Sequence, residues 1–145
     1  MSLKVIRVSN TSHKTIYFKF HKDFALFLSG LYGSPTRISI SHVKHRYLIL
    51  LHGVPIGCFG MGYLDPYNKY LCNLFIMEKY RGKHLGRKLF KIIHKNMCSG
   101  AVENVCLVVE KNNTVAKKFY EKLGYKEYYQ EEHRIGMYWK IHHKK

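Results

Sequence analysis

A six-residue turn from Arg81 to Gly86 contains the residue types that bind a phosphorylated ligand. Gly82 and Gly86 let the backbone approach an anion without interference from a Cβ atom, and Arg81 and Lys83 add positive charge beside it. A helix is predicted to begin at the end of the turn, and a helix N-terminus supplies unpaired N–H groups and about half a unit of positive charge. An ordinary basic turn would use the same residues, but we favour an anion site suited to a pyrophosphate.

The pattern after this turn predicts an amphipathic helix from Leu85 to Met97, which Ser99 and Gly100 would end. A strand is predicted before the turn, from Tyr70 to Met77, and a buried strand after the helix, from Asn104 to Val109. Together they predict a βαβ unit that presents backbone N–H groups to a phosphate. The apolar and basic faces of the helix consist, respectively, of Leu85, Leu89, Ile92, Ile93 and Met97, and of Arg87, Lys88, Lys91 and Lys95.

The first half of the chain predicts strands and one longer helix. Residues 4–8 alternate as in a strand, and residues 14–28 have a spacing nearer to helical. Gly30, Gly33 and Pro35 are expected to end this helix, leaving a loop or a short second helix from Leu31 to Ser41. Residues 46–51 and 56–61 predict a hairpin, and a second turn at Asp65, Pro66 and Asn68 leads into the next strand.

The end of the chain predicts one more helix and two more strands. Asn112, Asn113 and Thr114 supply N-cap chemistry, and Gly124 ends the helix. Residues 125–129 and 135–141 are the last predicted strands. The whole chain, residues 1–145, is therefore predicted to be one α/β (α+β) domain with a mixed sheet of about seven strands and about four helices. The apolar stripe of the last helix is predicted to consist of Val115, Ala116, Phe119 and Leu123.

Composition restricts the class of protein and its partners. The 25 Lys and Arg residues exceed the 9 Asp and Glu residues and give a net charge of +16. Such a surface suits an anionic cofactor, an acidic protein or a nucleic acid, although a solvated Lys-rich surface would look the same. The four cysteines are unevenly spaced, so we expect free thiols and no metal site. No signal or membrane segment is recognisable, and we expect a cytoplasmic protein without a membrane partner. The cysteines are Cys58, Cys72, Cys98 and Cys106.

Two blocks of the chain resemble the GNAT superfamily of acyl-CoA-dependent N-acetyltransferases. One family signature is similar to L-Y-V-x-P-x-Y-R-G-K-G-I-G, and residues 74–86 read L-F-I-M-E-K-Y-R-G-K-H-L-G. The second, similar to L-x-V-x-x-x-N-x-x-A-x-x-x-Y-E-K-L-G-F, matches from Leu107 to Tyr125. The resemblance is specific over residues 70–125 and implies a GNAT-like fold. It also implies an N-acetyltransferase that uses acetyl-CoA as acyl donor and needs no metal.

The resemblance also implies roles for individual residues. The backbone of Phe75, Ile76 and Met77 would pair with the pantetheine arm of the cofactor, and Asn113 would contact it near the thiol. Tyr120 would be the catalytic proton donor, which suits a phenol with a pKa of about 10 held near the departing thiolate. The acceptor amine would attack directly in a ternary complex. The pyrophosphate would be held by Arg81, Gly82, Lys83, His84, Leu85 and Gly86.

Departures from the family pattern affect the cofactor loop and the general base. His84 stands where the family usually has a second glycine, so its side chain either points outward or contacts the cofactor. Cys72 and Val108 stand where many relatives have a glutamate, and neither is a useful base. Glu110 is the nearest carboxylate, and a water relay or an already deprotonated acceptor would serve instead. We therefore assign no base from the sequence.

The acceptor is the least determined part of the sequence prediction. A strongly basic protein should repel polyamines and aminoglycosides, so a peptide or protein amine near acidic residues, or a small amino metabolite such as a nucleotide-sugar amine, fits better. Acetylation of aminoacyl-tRNA is an alternative that would use the same basic surface. A non-catalytic basic binding module on the same fold is a further alternative. The acceptor, the acyl chain length and the oligomeric state remain open.

Overall fold

A computed structural model describes residues 2–32, 43–82, 84–97 and 100–141. Those residues contain seven strands, three α-helices and one short 3-10 helix. In chain order the elements are β1 (Leu3–Arg7), α1 (Thr11–Tyr32), β2 (His45–Leu51), β3 (Val54–Asp65), β4 (Asn68–Ile76), the 3-10 helix (Glu78–Tyr80), α2 (Leu85–Met97), β5 (Asn104–Glu110), α3 (Thr114–Leu123), β6 (Lys126–Gln130) and β7 (Arg134–Lys140).

The seven strands form one mixed sheet in the order β1-β2-β3-β4-β5-β7-β6. Neighbouring strands are antiparallel except β4 and β5, which are parallel and are joined through α2. The predicted hairpin, βαβ unit and mixed-sheet fold class are therefore confirmed. The predicted Leu31–Ser41 helix or loop falls largely on residues 33–42, which lie outside the described residues, as do Lys83, Cys98 and Ser99.

Helices cover the two faces of the sheet unequally. α2 and α3 pack on one face, where Leu89, Phe90 and Ile93 of α2 join sheet residues such as Val105 and Met137 in the larger core. On the other face, α1 packs against β2, β3 and β4. The smaller core beneath α1 is formed by Tyr17, Phe20, Leu48, Cys58 and Phe75.

Helix α1 is longer than the sequence pattern predicted. Asn10 caps it, since the side-chain Oδ1 accepts a hydrogen bond of 2.8 Å from the backbone N–H of His13. The helix therefore begins at Thr11, three residues before the predicted Lys14, and it continues through Gly30 to Tyr32. The prediction missed the cap because the apolar periodicity starts only after the first helical turn.

The predicted apolar stripe of α3 is wrong at Val115, whose side chain is 80% exposed. The residues of α3 that pack on the core are Ala116, Phe119, Tyr120 and Leu123. Their spacing of three, four and seven residues is that of one helix face, and Val115 lies outside it. Tyr120 therefore lies on the inward face of α3 and packs against the larger core.

Candidate active site

The parallel strands β4 and β5 separate soon after they begin. They pair only at Asn68, Lys69 and Tyr70 of β4 with Asn104, Val105 and Cys106 of β5. Beyond these pairs, β4 continues to Ile76 and β5 to Glu110 without pairing to each other. The result is a wedge in the middle of the sheet, where the two strands do not pair with each other and their backbone groups can bind a ligand.

A β-bulge in β4 lies at the side of this wedge. Cys58 pairs with Phe75 and Gly60 pairs with Cys72, so two residues of β4 oppose a single residue of β3. Asn73, one of the two, has a left-handed backbone with φ of 53°. Bulges of this kind bend a strand and redirect its backbone groups, and they are common beside active sites.

Backbone directions after the bulge decide which residues of β4 can pair with a ligand. The carbonyl of Phe75 points toward Gly57 of β3, and the N–H of Met77 donates to the carbonyl of Ile56 at 2.8 Å. Because backbone groups alternate along a strand, Leu74 and Ile76 face the wedge. Of the three residues predicted from the resemblance, Ile76 therefore faces the wedge, whereas Phe75 and Met77 face β3. The sequence motif gave no indication of Leu74, because the bulge determines which residues of β4 direct their backbone groups toward the wedge.

The turn before α2 has an open, left-handed backbone. Gly82 has φ of 74° with no atom within 4 Å of where a Cβ would lie, and His84 has φ of 60°. His84 is exposed, and its residue type is unusual in this conformation. The structure thus shows why a glycine would fit position 84. It also shows an accessible N-terminus of α2 beside the wedge, as a phosphate site requires.

The remaining residues of the turn have different surroundings. The Arg81 guanidinium lies over the rings of Phe27 and Phe75, 4.9 and 5.1 Å from their centroids, and its Nε donates to the carbonyl of Ile76 at 2.7 Å. Leu85 is only 3% exposed and packs in the larger core, so only its backbone can reach a phosphate. A Cβ at Gly86 would lie 2.7 Å from Cζ of Phe119, so this glycine permits α2 to approach α3.

Asn113 forms the N-cap of α3 and also lines the cavity beside the wedge. Its Oδ1 accepts a hydrogen bond of 3.3 Å from the backbone N–H of Ala116. The cap uses only the oxygen of this amide, so the Nδ2 group is a donor that a ligand could use. One side chain can therefore both begin α3 and contact the cofactor.

Tyr120 is half-buried on α3 and lines the same cavity. Its ring lies 5.7 Å from that of Phe90 and 5.8 Å from that of Tyr125, which fixes its position through packing. Burial raises the pKa of Tyr120 to about 12, because the low-polarity surroundings disfavour the phenolate. The hydroxyl is therefore protonated at neutral pH and can donate a proton.

The cavity has a volume of about 1160 Å³ and passes through the wedge from one face of the sheet to the other. Tyr120 and Ala116 line it from the α3 side, while Tyr70, Cys72 and Arg134 line it from the opposite side. Glu110 is the only carboxylate among the described lining residues. It pairs with Arg134, whose Nε lies 3.4 Å from its Oε1. Burial raises the pKa of Cys72 to about 12, so its thiol is a poor base.

The segment that carries the turn and α2 is strongly basic. Residues 79–97, which include the turn and α2, contain seven Lys and Arg residues and no Asp or Glu. Residues 126–141, which include β6 and β7, contain three of each sign. Residues 79–97 thus carry a local excess of seven positive charges, which favours a phosphorylated ligand at the N-terminus of α2.

A family model described as an acetyltransferase (GNAT) domain matches residues 44–127, more than half of the chain. The protein therefore belongs to the GNAT acetyltransferase family. The resemblance found in the sequence predicted this membership. Comparison with curated protein sequences gives no significant match.

Solved structures confirm the fold over nearly the whole chain. An acetyltransferase from Thermus thermophilus is 17% identical with a TM-score of 0.76, and 97% of this chain and 98% of that chain are covered. The PaiA N-acetyltransferase from Thermoplasma acidophilum, in complex with coenzyme A, is 16% identical with a TM-score of 0.75, covering 97% and 100%. The Campylobacter jejuni N-acetyltransferase PseH, in complex with acetyl coenzyme A, is 21% identical with a TM-score of 0.67, covering 96% and 99%.

Neither a membrane span nor a metal cluster is found within the described ranges. None of the helices there has the length and apolar character needed to cross a membrane. No group of three or more His, Cys, Asp and Glu residues there could hold a metal ion. Cys58, Cys72 and Cys106 are free thiols.

Proposed function

We propose that this protein transfers an acetyl group from acetyl-CoA to a primary amine by direct attack in a ternary complex. The observation that supports this proposal is the joint position of Tyr120, Asn113 and the open edge of β4 around one cavity. The cavity opens toward both faces of the sheet, so donor and acceptor can meet without a covalent enzyme intermediate. Acetyl-CoA supplies the thioester, and the chain supplies positioning and a proton.

In this proposal, the backbone of Leu74 and the N–H of Ile76 pair with the pantetheine arm along the edge of β4, because the Ile76 carbonyl already accepts from Arg81. The turn from Arg81 to Gly86 and the N-terminus of α2 bind the pyrophosphate. The seven basic residues between positions 79 and 97 increase the local concentration of the anionic cofactor. Phe75 and Met77 support the strand from the β3 side, and Asn113 donates from Nδ2 near the thiol end.

Tyr120 is proposed to protonate the sulfur as the carbon–sulfur bond breaks. Its pKa of about 12 keeps the proton on the hydroxyl until a thiolate develops nearby. No residue is assigned as the base that deprotonates the acceptor. A cytoplasmic location remains a prediction from the sequence.

The substitution Tyr120→Phe tests this role because it keeps the ring among Phe90 and Tyr125 and removes only the hydroxyl. We expect kcat to fall by roughly 100-fold or more, with the Kd for CoA unchanged. Tyr67→Phe is the matched control, since Tyr67 is 53% exposed and does not line the cavity. Release of free CoA with an accepted amine measures kcat, and calorimetry measures CoA binding. Full activity of Tyr120→Phe would refute the proton-donor role.

A further inference from the structure

The face of the sheet opposite α2 and α3 is rich in tyrosine where α1 does not cover it. α1 packs on β2, β3 and β4, and none of the three described helices packs on this face of β5, β7 and β6. Pairing sets Tyr70 beside Cys106 and Cys106 beside Tyr138. Tyr128 and Tyr129 of β6 complete this surface, which we call the tyrosine floor: Tyr70, Tyr128, Tyr129 and Tyr138.

Contacts within the tyrosine floor hold its rings together. Tyr128 packs edge-on against Tyr129 and Tyr138, with centroid distances of 4.7 and 6.0 Å. The ring of Tyr129 lies over Gly136, where a Cβ would be only 1.9 Å from Cε1. Glycine at position 136 therefore lets this ring lie across β7 toward β5.

The floor adjoins the cavity on the face of the sheet opposite α2 and α3. Tyr70 lines the cavity itself, together with Glu110 and Arg134. Burial, together with the nearby Cys72 thiol and the Tyr129 and Tyr128 phenols, raises the pKa of Tyr70, while Arg134 lowers it. Tyr70 and the Glu110–Arg134 pair thus line the same cavity, and Tyr70 lies on the sheet face that carries the rest of the floor.

The chemistry of this surface suits a small cation with a flat skeleton. Aromatic faces attract ammonium groups and pack against apolar rings, and Glu110 is the only carboxylate among the described residues that line the cavity. The segment that carries most of the floor, residues 126–141, has no excess of positive charge. Residues 79–97, beside the proposed cofactor site, carry by contrast an excess of seven positive charges, which is the kind of field that attracts an RNA or an acidic peptide.

We propose that the acceptor is a small monoamine with a ring skeleton, bound with its ring on the tyrosine floor and its nitrogen toward Glu110. This inference rests on the proposed acetyltransferase function and specifies the class of its second substrate. It excludes a nucleic acid or an acidic polypeptide as the principal acceptor.

Two synthetic bisubstrate compounds test the inference even while the natural acceptor is unidentified. In one, the sulfur of CoA is joined through an acetyl bridge to 2-phenylethylamine, and in the other to the N-terminus of an acidic hexapeptide. We expect the phenylethylamine compound to bind about 10-fold more tightly than CoA in calorimetry, equivalent to roughly 1.4 kcal/mol. The peptide compound should show no such gain.

Variants of the floor identify where the gain arises. Tyr128→Ala should remove most of the gain in affinity while leaving the Kd for CoA itself unchanged, because Tyr128 does not line the cavity. Tyr128 is half exposed, so its replacement should not unfold the protein. Tyr67→Ala, outside the floor, should keep the gain. The inference is overturned if the peptide compound gains more affinity over CoA than the phenylethylamine compound, or if neither compound binds more tightly than CoA. It is also overturned if aminoacyl-tRNA is acetylated in preference to phenylethylamine. If CoA itself fails to bind, the proposed function falls as well.

Discussion

The imidazole of His94 lies flat against the indole of Trp139, with ring centroids 3.8 Å apart and an interplanar angle of 4°. His94 Nε2 also shares a hydrogen bond of 2.7 Å with the hydroxyl of Tyr125. Tyr125 packs against Tyr120 at 5.8 Å. A histidine of α2 is therefore linked through one tyrosine to the proposed proton donor.

We predict that this histidine makes the protein sensitive to acid. Burial lowers the pKa of His94 from 6.5 to about 4, so the folded state favours the neutral ring. The contribution of the neutral His94 ring to the free energy of unfolding is fully present above pH 6.5, where this histidine is also neutral in the unfolded chain. The contribution is lost as the pH falls toward 4. The loss should be about 2 to 3 kcal/mol in the free energy of unfolding, measured by urea denaturation at pH 7 and pH 4.5.

The variant His94→Gln separates this titration from general acid unfolding. Glutamine can keep a hydrogen bond to Tyr125 but does not titrate in this range, so its stability should change less between the two pH values. An equal loss in wild type and variant would show that other groups cause the acid sensitivity.

His84 is predicted to cost the turn stability because its backbone is left-handed, with φ of 60°. In the left-handed backbone region, a residue with a Cβ is less stable than glycine by about 1 kcal/mol or more. His84→Gly should therefore raise the free energy of unfolding by about 1 kcal/mol. His84→Ala, which keeps the Cβ, should give no gain. Urea denaturation of the two variants measures the difference, and equal stability of both would contradict the backbone explanation.

The two roles of Asn113 can be separated by a pair of substitutions. Asn113→Asp keeps an oxygen that accepts from the N–H of Ala116 but removes the Nδ2 donor. Asn113→Ala removes both, and the loss of a cap costs about 1 kcal/mol. We expect both variants to raise the KM for acetyl-CoA, and only the alanine variant to lower the melting temperature. An unchanged KM in both would leave Asn113 as a helix cap alone.

The local parts of the fold and site were predictable, whereas parts that depend on strand phase were not. The apolar spacing of α2 and the glycine in the Arg81 turn are encoded locally, and the structure has the predicted helix and an open turn there. The bulge at Asn73 arises from pairing between β3 and β4, so no local pattern could show that Leu74 instead of Phe75 faces the wedge. The exposed Val115 shows the same limit. If the buried face of a helix is misplaced by one residue, a different set of side chains is predicted to be buried.

The tyrosine floor could not be predicted from the sequence for a similar reason. Tyr70 lies more than 50 residues from Tyr128 and Tyr129 in the chain, and only the strand order β4-β5-β7-β6 brings them to one face. The segregation of charge also required the fold for its interpretation. The net charge of +16 suggested a nucleic acid partner, whereas the seven basic residues at positions 79–97, which include the turn and α2, favour the cofactor.

Calorimetric titration of the wild-type protein with CoA tests the central claim most directly, because the wedge and the turn must bind the donor before any transfer. We expect one CoA site per chain, with an affinity that weakens as salt screens the basic residues of the turn and α2. No binding at millimolar CoA, with tight binding of RNA instead, would contradict it and favour a non-catalytic basic module.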